Sequence, residues 1–153
     1  MKQLLISSIF FLQFLINADV SCAQSQTIPK LNHIAIFVHD LQKSTGFYKN
    51  VIVLQLIEEP FKDGKHTWFS LGGPVQFHVI SGAKEDMEHF KTQHICFSVA
   101  SINNFILHLN KNNIEFTNLK GDSKSPTTRI DGVKQIYLQD PDGYWIEIND
   151  EQK

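Results

Sequence analysis

The chain has 153 residues, a length that suits one domain or two small units sharing a core. Its 20% charged and 42% hydrophobic residues are typical of a globular protein. The formal net charge of −2 and a single arginine, Arg129, argue against the basic surface on which nucleic-acid binding depends.

The first predicted element is an N-terminal leader. Residues 4–16 form a mainly apolar run that is shorter than the ~20 residues a membrane-spanning helix needs. Ser21 and Ala23 are small residues at the −3 and −1 positions of a cleavage site. The pattern predicts a signal peptide over residues 1–23 and a secreted or periplasmic mature protein. A membrane anchor and a lipid anchor on Cys22 stay open as alternatives.

The next elements form an internal repeat. The segment Leu31–Tyr48 matches Thr92–Leu109 at an offset of 61 residues. Each segment begins with alternating apolar and other residues, which indicates a strand, and then changes to a helical period. Asp40 and Ser101 stand at this change, where a side-chain oxygen can cap the helix N-terminus. Each segment therefore predicts a strand followed by a helix.

Three more strands are predicted after each helix. Neither half is large enough to bury its sheet alone, so the two βαβββ modules are expected to pair into one domain over residues 28–150. Module one covers about residues 28–82, with a strand at 54–57 and two strands within 66–80 joined by a Gly-Gly-Pro turn. Module two covers about residues 90–150, with a strand at 114–117 and two strands within 134–148 joined by an Asp-Pro-Asp-Gly turn.

Strand alternation places four potential metal ligands on the sheet faces that point away from the helices. His33 and His94 lie on the first strand of each module, and His78 and Glu147 on the last strand. A carboxylate among apolar neighbours needs compensation, which a divalent cation would supply. Imidazoles with one carboxylate suit Zn, Ni, Co or Fe better than Ca or Mg. A core or surface role is the alternative for any single histidine, and Gln76 shares the face of His78.

The same faces predict a partly aromatic substrate pocket. Alternation directs His66 and Trp68 toward it from module one, and Tyr137 and Trp145 from module two. Arg129, in a predicted loop, is a candidate for binding a substrate carboxylate or phosphate. Core packing of the aromatic residues and a solvated position for Arg129 are the alternatives. The other histidines after the leader are expected at the surface: His39, His89 and His108.

Three motifs resemble those of the vicinal oxygen chelate superfamily, which includes glyoxalase I, methylmalonyl-CoA epimerase, fosfomycin-resistance proteins and extradiol dioxygenases. They are "NHIAIFVHDLQKSTGFYKNVI", "TQHICFSV" and "DPDGYWIEI". The resemblance implies an α+β fold in which paired βαβββ modules form a partly open, barrel-like mixed sheet around one metal site. Its ligand positions correspond to His33, His78, His94 and Glu147. Glyoxalases of the family usually carry Glu or Gln where this chain has His78.

The resemblance also implies a function. The expectation is an exported, metal-dependent lyase or isomerase of glyoxalase type, in which one divalent ion stabilises an enediolate of a small oxygenated substrate and Glu147 moves the proton. An Fe(II) extradiol-type dioxygenase using His33, His94 and Glu147, and a non-catalytic binding or resistance protein, are the alternatives. The expected partners are a small-molecule substrate and a second copy of the chain. Neither nucleic acid nor, without lipidation at Cys22, a membrane is expected.

Overall fold

The computed structural model describes residues 28–84 and 87–152. The chain divides into two units, residues Met1–Lys30 and Leu31–Lys153. The predicted signal peptide lies outside the described residues. Within those residues, every helix and strand belongs to the second unit, and no helix is long and apolar enough to cross a membrane.

The second unit contains two four-stranded mixed sheets and two helices. The elements are β1 His33–Val38, α1 Leu41–Asn50, β2 Gln55–Ile57, β3 His66–Ser70, β4 Gln76–Ser81, β5 His94–Ser98, α2 Ile102–Lys111, β6 Thr127–Thr128, β7 Lys134–Gln139 and β8 Trp145–Asn149. The strand orders are β1-β4-β3-β2 and β5-β8-β7-β6, and in each sheet the first strand of the module runs parallel to the last. This confirms the predicted α+β fold of two βαβββ modules, although the two sheets do not close into a barrel.

Both helices begin at the predicted capping residues. The Asp40 carboxylate accepts hydrogen bonds from the backbone N–H groups of Gln42 and Lys43, at 2.9 and 3.0 Å. The Ser101 hydroxyl accepts from the backbone N–H of Asn104 at 3.3 Å. These bonds satisfy donors that the first turn leaves unpaired, so the change of period in the sequence marks the start of each helix.

The outer strand of module two differs from the prediction. Instead of a strand over residues 114–117, the chain forms a single bridge between Thr117 and Tyr137, and Thr127–Thr128 pairs with β7. Asn118 explains why the pairing with β7 stops at this bridge, since its side-chain oxygen accepts from the backbone N–H of Gly121 at 2.7 Å. A side chain that satisfies the backbone of a turn competes with strand pairing, and the chain rejoins the sheet only ten residues later.

The apolar sheet faces form the core with the helices. Ile36 and Val38 of β1 and Phe77 of β4 are buried, and the Tyr48 ring of α1 packs on Phe77 with centroids 4.6 Å apart. In module two, Ile146 and its neighbours on β7 and β8 join the same core cluster as the buried residues of α2. The faces assigned from alternation are therefore correct, which leaves the opposite faces to the polar residues.

The Asp-Pro-Asp-Gly turn of module two contacts module one. The buried Tyr48 hydroxyl of α1 donates to Asp140 at 2.7 Å, and the Ser44 hydroxyl donates to Asp142 at 2.7 Å. Asp142 also accepts from the backbone N–H of His39 at 2.7 Å. These bonds attach the β7–β8 turn to the end of β1 and to α1, because each carboxylate accepts at least one hydrogen bond from module one.

Candidate functional site

The last strand of module two carries a buried carboxylate with several donors. Glu147 is 6% exposed. Its Oε2 atom accepts from the Tyr137 hydroxyl at 2.6 Å, and its Oε1 atom accepts from the Asn149 amide at 3.0 Å and the Cys96 thiol at 3.4 Å. The strand register explains this, because Glu147 lies opposite Tyr137 on β7 and Cys96 on β5. The sheet thus brings donors to both carboxylate oxygens.

The donors keep Glu147 ionised. Burial alone would raise the pKa of Glu147, but hydrogen bonds from Tyr137, Asn149 and Cys96, together with nearby His94, outweigh it and hold the pKa below its usual value. Burial and the contact with Glu147 raise the pKa of Tyr137. Near neutral pH, Tyr137 is therefore the proton donor of the pair and Glu147 the anion.

His94 faces this carboxylate. Its Nε2 atom lies 3.2 Å from Oε2 of Glu147, while its Nδ1 atom contacts the Lys91 carbonyl oxygen at 2.8 Å. A carbonyl can only accept, so Nδ1 is the donor, and in the neutral ring Nε2 carries a lone pair. This donor set fits a divalent cation, because metal-binding histidines commonly donate their other ring N–H to a backbone carbonyl. His94 and Glu147 are hereafter the module-two half-site.

Module one presents a stack of three rings instead. His78 lies between His33 and Trp68, with centroids 4.3 Å apart at 11° to His33 and 4.0 Å apart at 2° to Trp68. Nδ1 of His33 donates to the Asn32 side-chain oxygen at 2.8 Å, and Nε2 of His78 donates to the Gln76 side-chain oxygen at 2.9 Å. Both residues that the sequence left as alternatives, His78 and Gln76, therefore lie on this face and contact each other. The three rings are hereafter the module-one stack.

The stack forms one wall of a pocket of about 420 Å³. The predicted substrate-facing residues His66 and Trp68 line it, and Phe61 lies over both, with ring centroids 4.8 and 5.9 Å away. The Trp68 indole nitrogen is buried and has no hydrogen-bond partner among the described residues. Burial, with His33 and His66 nearby, lowers the pKa of His78. The pocket wall is thus largely aromatic, and its His78 ring is uncharged near neutral pH.

The two histidines of module one, His33 and His78, do not meet the module-two half-site within one chain. Among residues 28–84 and 87–152, no three His, Cys, Asp or Glu side chains group closely enough to hold one metal ion. His33 and His78 contact each other on one sheet, and His94 and Glu147 contact each other on the other sheet. The structure therefore brings together each predicted pair but not the predicted set of four.

Two of the predicted substrate-binding residues are engaged elsewhere. The Trp145 indole donates to the His89 carbonyl oxygen at 2.9 Å. Arg129 forms ion pairs with Asp131 and Glu151, and the hydrogen bond with Asp131 raises the pKa of Arg129. A substrate anion would have to compete with both carboxylates for Arg129.

Sequence reasoning missed a lysine beside the module-two half-site. The Lys91 ammonium lies 4.6 Å from the Trp145 ring centre and 5.6 Å from the Tyr137 ring centre, and it donates to the carbonyls of Asn118 and Leu119 at 3.3 Å. Such cation–π contacts hold a lysine over aromatic rings. The only signal in the sequence is that Lys91 precedes His94 by three residues.

A second pocket, of about 480 Å³, lies where the modules meet. Phe37, His39 and Asp142 line it, and Nδ1 of His39 is 3.0 Å from Asp142. His89 also lines it and packs on the Tyr144 ring with centroids 3.9 Å apart. His39 is exposed, as expected for a surface residue, whereas His89 is half-buried. Alternation could not show these contacts, because His39 and Asp142 are 103 positions apart and His89 and Tyr144 are 55 apart.

Comparison with known proteins places these features in a family. The model of the Glyoxalase/Bleomycin resistance protein/Dioxygenase superfamily matches residues 30–148. The metallothiol transferase FosB of Staphylococcus epidermidis is 30% identical over 128 residues, covering 80% of this chain and 82% of that protein. The lactoylglutathione lyase of Schizosaccharomyces pombe is 28% identical over 148 residues, but the chain spans only 46% of its length.

A solved structure shows the same fold. The fosfomycin resistance protein FosX of Listeria monocytogenes matches with a TM-score of 0.65 at 23% identity, covering 82% of this chain and 95% of that one. The family match extends through both modules, from before His33 to just after Glu147. The chain therefore belongs to the Glyoxalase/Bleomycin resistance protein/Dioxygenase superfamily.

Proposed function

We propose that the protein is a metal-dependent enzyme whose divalent ion is held by His33, His94 and Glu147. The observation that carries this proposal is the 3.2 Å approach of His94 Nε2 to Glu147 Oε2, with Nδ1 of the same ring bonded to a backbone carbonyl. His33 has the matching arrangement, since its Nδ1 donates to Asn32 and leaves Nε2 available. Two imidazoles and one carboxylate suit Zn, Ni, Co or Fe.

The proposed site takes its residues from two copies of the chain. His33 lies on β1 and His94 on β5, and both strands are edges of their sheets. An edge strand offers unpaired backbone groups to another chain, so two copies can bring β1 of one beside β5 of the other. Each site of this homodimer would hold His33 from one copy and His94 and Glu147 from the other. The separation of His33 from the module-two half-site within the described residues supports this arrangement.

The proposed reaction is a lyase or isomerase reaction on a small oxygenated substrate. A bound divalent ion would polarise a substrate carbonyl and stabilise negative charge on its oxygen. Glu147 is ionised near neutral pH, the state needed both to bind a cation and to accept a proton from carbon. Tyr137 donates to the same carboxylate and fixes its orientation. The aromatic wall around Trp68 and His66 would exclude water from the substrate.

Thiol transfer is a second candidate. The relative described as a metallothiol transferase matches about four-fifths of both chains, whereas the lactoylglutathione lyase matches over less than half of its own length. This favours a metal-dependent addition of a thiol to a small oxygenated compound.

Export after cleavage near Ala23 belongs to the proposal as well, and it would keep the enzyme away from the cytosolic glutathione and coenzyme A pools.

Elemental analysis of protein purified without chelators tests the proposal. We expect one divalent ion per chain in the wild type, loss of the ion in His94→Ala and Glu147→Ala, and retention in His108→Gln. His108 contacts the carbonyls of Asn50 and Val51 at the end of α1, so this control removes an imidazole distant from the half-sites.

The metal and the reaction separate the candidates. Nickel, zinc or cobalt with exchange of the carbon-bound proton of a 2-oxoaldehyde–thiol adduct against solvent supports the lyase or isomerase. The same metals with thiol consumption support the transferase, and iron with oxygen consumption supports the dioxygenase. A wild type that binds no added divalent metal would contradict the proposal and leave a non-catalytic binding protein.

A further inference from the structure

We propose that His78 stays outside the metal coordination sphere and acts as a positioning residue, whose ring packs on one face of the His33 ring and fixes its orientation. This inference rests on the proposed function. It leaves the ion three protein ligands, His33, His94 and Glu147, although His78 occupies a position from which a fourth ligand would be expected.

Ring geometry is the first reason. The lone pair of an imidazole nitrogen lies in the plane of the ring, and a ligated zinc or similar ion lies ~2.0–2.1 Å from that nitrogen. Two histidines share an ion only where their ring planes meet at it. The His33 and His78 planes are 11° apart with centroids 4.3 Å apart, so they run almost parallel through the pocket wall. One ring would have to leave the stack before both could bind the same ion.

Hydrogen bonding is the second reason. Nδ1 of His33 donates to Asn32, which leaves the Nε2 lone pair of His33 available. His78 has the opposite arrangement, because its Nε2 atom donates to Gln76 at 2.9 Å. A metal bound at Nε2 of His78 would displace this proton and break the bond to Gln76.

Trp68 is the third reason. Its indole is parallel to the His78 ring within 2°, at a centroid distance of 4.0 Å, on the side opposite His33. His78 is 8% exposed and therefore cannot turn freely. Stacked aromatic faces in contact resist rotation, since turning one ring opens a gap on both sides. The indole thus supports His78, and His78 supports His33.

The two modules use one strand position differently. His78 lies opposite Ala35 in the register of β1 and β4, as Glu147 lies opposite Cys96 in β5 and β8. In module two this position carries an anion held by three donors and facing His94. In module one it carries an uncharged ring packed on both faces. An ion with three protein ligands keeps more positions open, which suits a substrate that binds through two neighbouring oxygens.

Metal titration of the purified full-length protein tests the inference. Zn²⁺ alone is titrated against a competing chromophoric chelator with the wild type, His78→Phe, His78→Ala and His33→Ala. Phenylalanine keeps the stack but cannot bind metal. We expect His78→Phe to stay within about 3-fold of the wild-type Kd, His78→Ala to bind about 10-fold more weakly and His33→Ala at least ~100-fold more weakly. Trp68→Leu should resemble His78→Ala, and Trp68→Phe should restore binding.

Two results would overturn the inference. Equal losses in His78→Phe and His33→Ala would make His78 a ligand, and unchanged binding in His78→Ala would deny it a positioning role. Melting temperatures of all variants separate these results from unfolding. A wild type that binds no Zn²⁺ would overturn the proposed function instead. The module-one stack is then tested by NMR of the His33 and His78 ring protons, which should be shifted upfield in the wild type and not in Trp68→Leu. Unshifted ring protons in the wild type would contradict the stack.

Discussion

His94 and Glu147 face each other across 3.2 Å, from Nε2 to Oε2, on the helix-free face of the second sheet. Because Nδ1 of His94 donates to the Lys91 carbonyl, Nε2 is the ring nitrogen that faces the ionised carboxylate. Two acceptors repel each other unless a proton or a cation lies between them. This relationship is the physical basis of the proposed metal site.

Replacing Tyr137 by phenylalanine should weaken metal binding. The change removes the 2.6 Å hydrogen bond to Glu147 Oε2 but leaves the bonds from Asn149 and Cys96 to Oε1. Partners of this kind typically contribute 10- to 100-fold to metal affinity, and we expect a loss of about 10-fold. Chelator competition measures it. Tyr144→Phe is the matched control, since the Tyr144 hydroxyl contacts the backbone of Phe37 instead; equal affinities in both variants would contradict the assigned role of Tyr137.

Replacing Tyr48 by phenylalanine should destabilise the fold. The Tyr48 hydroxyl is fully buried and donates to Asp140 at 2.7 Å across the two modules. Its loss leaves the Oδ2 atom of a buried carboxylate without this donor, which costs about 1–3 kcal/mol. Urea denaturation followed by circular dichroism measures the free energy of unfolding. A value equal to that of the wild type would mean that the bond between α1 and the β7–β8 turn contributes nothing to stability.

Asp142 should make stability depend on pH in the acid range. Burial would raise its pKa, but hydrogen bonds from the His39 backbone and the Ser44 hydroxyl, together with the His39 ring, lower it below its usual value. The unfolded chain therefore binds more protons at Asp142 than the folded chain does, and stability rises with pH. This contribution is complete above the unfolded pKa of about 3.9 and is lost as pH falls through the folded value.

Comparison with Asp142→Asn isolates this contribution. Between roughly pH 5 and pH 3, the free energy of unfolding of the wild type should fall more steeply than that of the variant. Asp140 has a pKa raised mainly by burial and to a smaller extent by the charge of Asp142, so its contribution acts in the opposite direction and is reduced in the variant. Parallel pH profiles would show that Asp142 gains nothing from its contacts with module one.

The sequence supported the fold further than the site. Alternation in β1 and β8 was enough to separate a core face with Ile36 and Ile148 from a face with His33 and Glu147, because a strand has only two faces. The caps at Asp40 and Ser101 were equally readable, since capping depends on local hydrogen bonds. Local rules of this kind act over a few residues and need no knowledge of the other module.

Features that depend on ring orientation or on distant contacts were not predictable. Alternation gives the face of His78 but not its rotation, so the stack with Trp68 and His33 could not be foreseen. The bond between His39 and Asp142 joins residues 103 positions apart, and nothing in either segment signals the other. The separation of His33 from His94 and Glu147 could not be predicted either, because pairing of modules depends on surfaces that meet only after each module has folded.

Subunit mixing tests the central claim most directly, namely that one divalent ion is held by His33 of one copy and by His94 and Glu147 of the other. His33→Ala and Glu147→Ala are purified separately, mixed in equal amounts, dissociated, reassociated and loaded with Zn²⁺. Each variant alone should hold no ion, whereas the mixed dimer contains one intact site. For random exchange in a twofold dimer, the mixture should recover about a quarter of the wild-type metal content. A mixture that stays empty beside a loaded wild type treated in the same way would contradict the shared site.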